Sequence, residues 1–198
     1  MVGIKNTAVC FGELFCKTYE VSIAAKGNIR TDFSIDFLKK DFFHAVGLQY
    51  LKDIDLGKNP EEVYDKIMTD VINDDLLGKS SFYLEVEDNY VNVKERIEHV
   101  AYLEECLDSK NLIFKYIGGK NPYSVIQAEF LIEASLNGKT FMIFLTKRKE
   151  SENYRIVSFF EKKSMYKTEK RFWLYKAKHN HATGETTVFY DRLSKQEK

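Results

Sequence analysis

The sequence has little of what marks a secreted, membrane-bound or disulfide-stabilised protein. Its 198 residues contain three cysteines, two prolines and one tryptophan. Cys10, Cys16 and Cys106 form no CxxC pair and are odd in number, which favours reduced thiols over a disulfide framework. No apolar run approaches the roughly 18 residues of a membrane span, and the N-terminus has no convincing signal-peptide cleavage site. We therefore expect a cytoplasmic protein that makes no membrane contact.

Motifs for metals, nucleotides and cofactors are also missing. The sequence has no HExxH, no DxD cluster and no glycine-rich dinucleotide fingerprint. The loop Gly118-Gly119-Lys120-Asn121-Pro122 lacks the spacing of a phosphate loop. His179 and His181 lie on one face of a predicted strand, but no third metal ligand is near them. We expect neither a metal nor a cofactor.

The charge is balanced overall but unevenly distributed. The net charge is zero, yet the segment from Lys139 to the C-terminus has 15 Lys and Arg against seven Asp and Glu. Such an excess indicates either a face that binds a polyanion or exposed strands with ordinary basic side chains.

Hydrophobic periodicity predicts an α+β fold. Hydrophobic residues make up 44% of the chain, enough for a substantial core. The strand pattern of Lys17–Ala25 and Ile29–Ile35 predicts an N-terminal hairpin, and helical patterns follow up to residue 107. From Asn111 the period becomes two, with the hairpin turn Asn137-Gly138. Segregated helices and strands predict one domain, 1–193, in which the hairpin and helical half pack on a C-terminal antiparallel sheet. Residues 194–198 are expected to be a disordered tail.

One predicted helix, Asp41–Ile54, has a histidine and a glycine beside its apolar stripe. A glycine within a helix costs about 1 kcal/mol relative to alanine. Gly47 therefore indicates a need for space, for a close-packed strand or for a ligand. His44 is either a partly buried core histidine or a functional side chain.

Further helices are predicted downstream. Asn59 is a candidate N-cap with Pro60 in the first helical position. Lys79–Leu84 is predicted to be helical, and Asn92–Leu107 is predicted to form one long helix.

The polar residues suit metal-free cleavage of a phosphodiester. This chemistry needs a base for the 2′-hydroxyl, a cation for the charged phosphorane and a proton donor. In the strand YRIVSFF, period two places Tyr154 and Ser158 on one face, where both could line a groove. The alternative is an ordinary strand with exposed polar residues. The candidates are His44, Lys79, Ser80, Arg96, Tyr154, Ser158 and Lys176.

Several motifs in order resemble a known family. FHAVGLQYL, GKSSF, VKERIEHVAYLEECL and YRIVSFF are similar to motifs of the phage Barnase-EndoU-Colicin-RelE-like (PBECR) nucleases, in the group with an H-x-x-G-L helix. The resemblance implies N-terminal helices packed on a four-stranded antiparallel sheet. It also implies a metal-independent ribonuclease, often linked to toxins or mobile elements. Carried onto this chain, the polar members of the motifs are His44, Ser80, Arg96 and Ser158.

The sequence thus predicts a metal-independent endoribonuclease that cleaves RNA by 2′-hydroxyl attack. His44 would be the acid or base, Arg96 the phosphate clamp and Ser158 a positioning group. RNA, free or in a ribosome or tRNA, would be the substrate, and a cognate antitoxin or immunity protein the partner. The alternative is a non-catalytic module that binds RNA or protein. The expected RNA-binding residues are Lys79, Tyr154, Tyr175 and Lys176.

Overall fold

The computed structural model describes residues 3–84 and 92–194, and its order of elements confirms the α+β class. The helices are α1 (Ile4–Gly12), α2 (Lys39–Ala45), α3 (Pro60–Met68), α4 (Asp74–Leu77), α5 (Val93–His99) and α6 (Leu103–Asp108). The strands are β1 (Lys17–Ala24), β2 (Arg30–Ile35), β3 (Asn111–Tyr116), β4 (Phe130–Leu136), β5 (Lys139–Lys147), β6 (Tyr154–Glu161), β7 (Thr168–Asn180) and β8 (Glu185–Asp191). Residues 195–198 of the predicted tail lie outside the described residues. Within the described ranges, every helix is too short or too polar to cross a lipid bilayer.

The eight strands form one sheet that closes on itself. Their order is β1-β2-β6-β5-β4-β3-β7-β8, and β1 also pairs with β7, so seven strands form a closed arrangement with β8 added to β7. The pairings are antiparallel except for β2 and β6, which meet in parallel at Ile35 and Tyr154. The N-terminal hairpin is therefore part of the sheet and is not packed on it, and the sheet has more strands than the four that the resemblance implied.

Two hydrophobic clusters lie on opposite faces of the central strands. The larger one packs α1, α2, α3 and α5 against Ile143 and Phe159, among others. The smaller one includes Met142 and Phe144 and is covered by partly buried side chains such as Tyr166. Because neighbouring strand residues point to opposite faces, Ile143 and Phe144 assign the two clusters to the two sides of β5.

The predicted helix Asp41–Ile54 is wrong in its length. Helix α2 ends at Ala45, and a 3₁₀ turn, Leu48–Tyr50, follows Gly47. Gly47 has a φ of 81°, a left-handed conformation that ends a helix. A Cβ added there would lie 3.1 Å from Cδ of Arg96 and 3.2 Å from Cδ2 of Tyr50. The glycine does provide space, but for an arginine side chain.

Two other helix predictions need correction. The segment Asn92–Leu107 is divided into α5, a 3₁₀ turn (Val100–Tyr102) and α6, with Asn92 as the N-cap. The segment Lys79–Leu84 forms turns, because Asp53 accepts hydrogen bonds from the side chain of Ser80 and from the backbone N–H of Ser81. Such side-chain bonds compete with helical ones.

A bulge in β6 reverses the face on which its later residues lie. Phe144 of β5 pairs with Ser158, but the next residue, Leu145, pairs with Ile156, so Val157 is an extra residue. Tyr154 and Ile156 therefore face the larger cluster, while Ser158 lies on the opposite face with Phe144. The prediction that Tyr154 and Ser158 share a face is wrong for this reason.

Lys176 of β7 is buried, although the sequence predicted it to bind RNA. Its ammonium group donates to the carbonyl oxygens of Leu107 and Ser109, each at 2.8 Å, at the end of α6. It also lies 5.3 Å from the ring centroid of Trp173. Burial lowers the pKa of Lys176 to about 8. This lysine holds α6 against the sheet and is not available to RNA.

Gly47→Ala should destabilise the protein by more than Gly27→Ala. Both glycines have positive φ, but a Cβ at Gly27 would meet nothing within 4 Å. Both substitutions should cost about 1–2 kcal/mol for left-handed backbone, and Gly47→Ala should cost more because Arg96 must move. Urea denaturation followed by circular dichroism measures both losses. Equal losses would contradict the close approach of Arg96 to Gly47.

Lys176→Met should change how stability depends on pH. The folded-state pKa of Lys176 is about 8 and the ordinary value is 10.5. Below pH 8 both states hold the proton, so the burial penalty is fully present. Between these values the folded state releases the proton first, so wild-type stability should rise relative to the variant, by on the order of 2 kcal/mol. Urea denaturation at pH 7, 8.5 and 10 measures the difference, and a constant difference would contradict the burial of a charged amine.

Candidate functional site

His44 lies in the last turn of α2 and lines a cavity beside β6. The cavity has a volume of about 510 Å³ and is also lined by Arg155 and Ser158. We call it the His44 cavity. Burial lowers the pKa of His44 below its ordinary 6.5, and the charge of Arg155 lowers it further against a smaller effect of Asp41. The imidazole is therefore mostly neutral at pH 7 and can accept a proton.

A buried ion cluster places His44 next to Arg155. Asp41, one turn before His44, is fully buried and accepts hydrogen bonds from two guanidinium nitrogens of Arg148. Its second oxygen also accepts from the backbone N–H of Leu38, which caps the start of α2. The Nη1 atom of Arg155 lies 3.7 Å from Oδ1 of Asp41. The carboxylate thus connects α2 to Arg148, just after β5, and to Arg155 of β6.

Arg96 and Ser158 meet directly at the bulge of β6. The Nη1 group of Arg96 donates to Oγ of Ser158 at 3.0 Å. The guanidinium carbon lies 4.5 Å from the ring centroid of Phe160 and 5.3 Å from that of Tyr50. Both Arg96 and Ser158 are buried. Arg96 therefore positions Ser158 and supports an aromatic wall formed by Tyr50 and Phe160.

A second, larger cavity continues from the first. It has a volume of about 1110 Å³, and Tyr50, Val125 and Ile126 line both cavities. We call the two together the groove. Nine Lys or Arg and three Glu line it, although the whole chain is neutral. The groove therefore concentrates positive charge and would attract a polyanion. The basic residues are Lys40, Lys52, Arg96, Lys120, Lys147, Lys149, Arg155, Lys163 and Lys167.

Three of the predicted catalytic residues line this groove, and the remaining candidates lie outside it. His44, Ser158 and Arg96 line its walls. Ser80 is buried and hydrogen bonds to Asp53, so it stabilises a turn. Lys79 is exposed but lines neither cavity.

The predicted base-stacking tyrosines are also outside the groove. Tyr154 is only 7% exposed, and its ring centroid lies 4.6 Å from that of Phe33. Its hydroxyl group donates a hydrogen bond to Glu129. It therefore has no face free for a base. Tyr175 is half-buried on β7, opposite Ser22 and Asp191, and lines neither cavity.

The sequence interpretation missed several residues of the groove. Arg155 directly follows Tyr154 in the YRIVSFF strand. Because neighbouring strand residues face opposite sides, the burial of Tyr154 places Arg155 on the other face, and this alternation could have identified it as a groove residue. Gln49 also lines the His44 cavity, and its buried Oε1 has no hydrogen-bond donor among the described residues. Tyr166 of the larger cavity lies between predicted strands and carries no motif signal.

Metal ligation is possible at one place among the described residues. Ligand atoms of Glu95, His99 and Glu161 lie within 4.8 Å of one another. The sequence pair His179 and His181 is different, because His179 bonds Thr186 and Glu20 while His181 bonds Thr18.

Comparison with known proteins places the chain in one family. The family model described as phage-Barnase-EndoU-ColicinE5/D-RelE like nuclease 4 matches residues 3–193, and so includes His44, Arg96 and Ser158. Searches of curated proteins and of solved structures returned no match. The match confirms the resemblance found in the sequence and supports a nuclease as the broad class of activity. The chain belongs to the phage-Barnase-EndoU-ColicinE5/D-RelE like nuclease family.

Proposed function

We propose that this chain is a metal-independent endoribonuclease whose active site is the His44 cavity. The observation that carries the proposal is a histidine of lowered pKa beside Arg155, inside a basic groove. A neutral imidazole can take the proton of a ribose 2′-hydroxyl, and a guanidinium can hold the phosphate that the hydroxyl attacks. Membership of a nuclease family supports the same class of reaction.

The reaction would proceed without any group beyond those of the cavity. His44 removes the 2′-hydroxyl proton, the 2′-oxygen attacks phosphorus, and the bond to the 5′-oxygen breaks as that oxygen takes up a proton from water. His44 then returns its proton to the solvent. The products are a 2′,3′-cyclic phosphate and a 5′-hydroxyl. Arg155 stabilises the charged phosphorane. Ser158 is buried and held by Arg96, so it fixes the wall of the cavity and does not itself contact the substrate. Arg155 therefore takes the role of phosphate clamp that the motifs predict for Arg96.

The larger cavity supports binding of an unpaired strand. Tyr123, Val125 and Met165 on its wall are almost fully exposed, at 101%, 79% and 81%. Exposed aromatic and apolar side chains next to lysines favour stacking of bases along a backbone held by charge. RNA would therefore extend from the His44 cavity into the larger one.

A non-catalytic RNA-binding module is the second candidate. It is favoured by one observation: no described residue hydrogen bonds to the His44 ring, whereas catalytic histidines are commonly oriented by a partner. The basic groove serves binding equally well. On this reading RNA would be retained and not cut.

A toxin or mobile-element role fits the phage designation of the family. A cytoplasmic toxin of this kind would need a cognate antitoxin or immunity protein. We propose that such a partner would cover the groove.

His44→Gln should abolish most cleavage and leave folding intact. Labelled RNA incubated with the wild type in EDTA should yield 2′,3′-cyclic phosphate ends, and the variant should be about 100-fold slower or worse. The kcat/KM of the wild type should fall only below pH 6.5, because the pKa of His44 in the free protein is lowered and the base must be neutral.

His181→Gln is the matched control, since His181 is exposed and outside the groove. It should cleave at the wild-type rate. RNA binding without cleavage by the wild type would favour the binding module. Cleavage that EDTA abolishes would contradict the metal-free mechanism.

A further inference from the structure

The larger cavity carries a cluster that the proposed reaction does not use. Glu95 and His99 are four residues apart on α5 and so share a helix face. Glu161 ends β6 next to them. One ligand atom from each lies within 4.8 Å of the other two. All three residues line the larger cavity and none lines the His44 cavity.

His99 is buried without a hydrogen-bond partner. Its side chain is 7% exposed, and its Nδ1 has no partner among the described residues. Its Nε2 faces Oε2 of Glu161 at 3.8 Å, which is too long for a hydrogen bond. The Nε2 atom, which faces the carboxylate of Glu161 without a hydrogen bond, is therefore available to a ligand.

Lysines now neutralise the two carboxylates from the solvent side. Lys139 binds Glu161 at 2.7 Å and Lys163 binds Glu95 at 2.9 Å. The lysine side chains are 49% and 35% exposed, so each such pair contributes about 0–1 kcal/mol. An ion held by three protein ligands would outweigh both pairs.

We propose that Glu95, His99 and Glu161 bind one first-row divalent transition ion, with Zn²⁺ as the best match. An imidazole with two carboxylates is a ligand set of zinc sites, whereas Mg²⁺ and Ca²⁺ prefer oxygen ligands only. Ligands of one tetrahedral Zn²⁺, each about 2.0–2.2 Å from it, lie about 3.3–3.6 Å apart. The cluster therefore needs side-chain movements of less than about 1 Å.

The ion would fix the end of α5 to β6. These elements also carry Arg96 and Ser158, so the ion would stiffen the wall between the two cavities. It would take no part in bond cleavage, since its ligands lie outside the His44 cavity. The site is thus separate from the proposed ribonuclease activity and can be tested without it.

The test is calorimetric titration of ZnCl₂ into EDTA-treated and dialysed full-length protein. The wild type should bind one high-affinity ion, and Glu161→Gln and Glu95→Gln should each weaken its binding at least tenfold. These two glutamates are partly exposed, so their variants should fold, and circular dichroism verifies this.

Two controls separate this site from others on the surface. Glu133→Gln removes a glutamate of similar exposure that pairs with Lys162 at 2.8 Å, and it should bind zinc as the wild type does. A His179→Gln, His181→Gln double variant should also keep the high-affinity ion. If the wild type binds no zinc, or if Glu161→Gln and Glu95→Gln bind it as tightly as the wild type, the site does not exist.

Discussion

A fully buried carboxylate must be neutralised and hydrogen bonded, and Asp41 meets both requirements through Arg148 and the backbone N–H of Leu38. Arg148 in turn donates to Asp36, which follows β2. The start of α2, the end of β2 and the connection between β5 and β6 are therefore held by a single ionic cluster. Removing Arg148 would take from the buried Asp41 the only side chain that hydrogen bonds it among the described residues, and removing Asp41 would leave Arg148 with Asp36 alone.

The location of the groove follows from that cluster. With the start of α2 fixed, His44 lies in the next turn, and Arg155, which lies 3.7 Å from Asp41, acts on His44 through its charge. The helix must then end, because Gly47 is left-handed and leaves room for Arg96. Arg96 reaches β6 where the Val157 bulge has moved Ser158 to the outer face. Two backbone irregularities, a glycine and a bulge, thus bring side chains from α2, α5 and β6 to one groove.

Local chemistry allowed much of the fold to be predicted from the sequence. Asn59 caps α3 through a bond from the Glu61 N–H, and Asn137 and Gly138 adopt the positive φ values of a tight hairpin turn. Both depend on neighbouring residues only. The failures depend on distant residues. Asp53 prevents a helix at residues 79–84. The alternation of faces along β6 is correct up to Ile156, but the bulge at Val157 then moves Ser158 to the opposite face.

The same distinction applies to the site. His44, Arg96 and Ser158 were identified through motifs, and all three line the groove. Lys176 and Tyr154 looked like exposed strand residues, but they are buried because the closed sheet gives them partners, α6 for Lys176 and Phe33 for Tyr154. The closure of β1 on β7 could not be inferred from periodicity, since the two strands lie about 150 residues apart. Arg155 was missed because its role depends on Asp41, which precedes it by more than 100 residues.

We propose that His44 and Arg155 form a phosphate-binding cavity on the path of RNA. Proton–carbon NMR of the histidine rings, assigned with His44→Gln, tests it during titration with a 2′-O-methyl oligonucleotide that cannot be cleaved. We predict that the His44 signals shift and that the pKa of His44 rises, because a phosphate nearby stabilises the charged imidazole. Unchanged His44 signals together with shifts of His179 and His181 would contradict it.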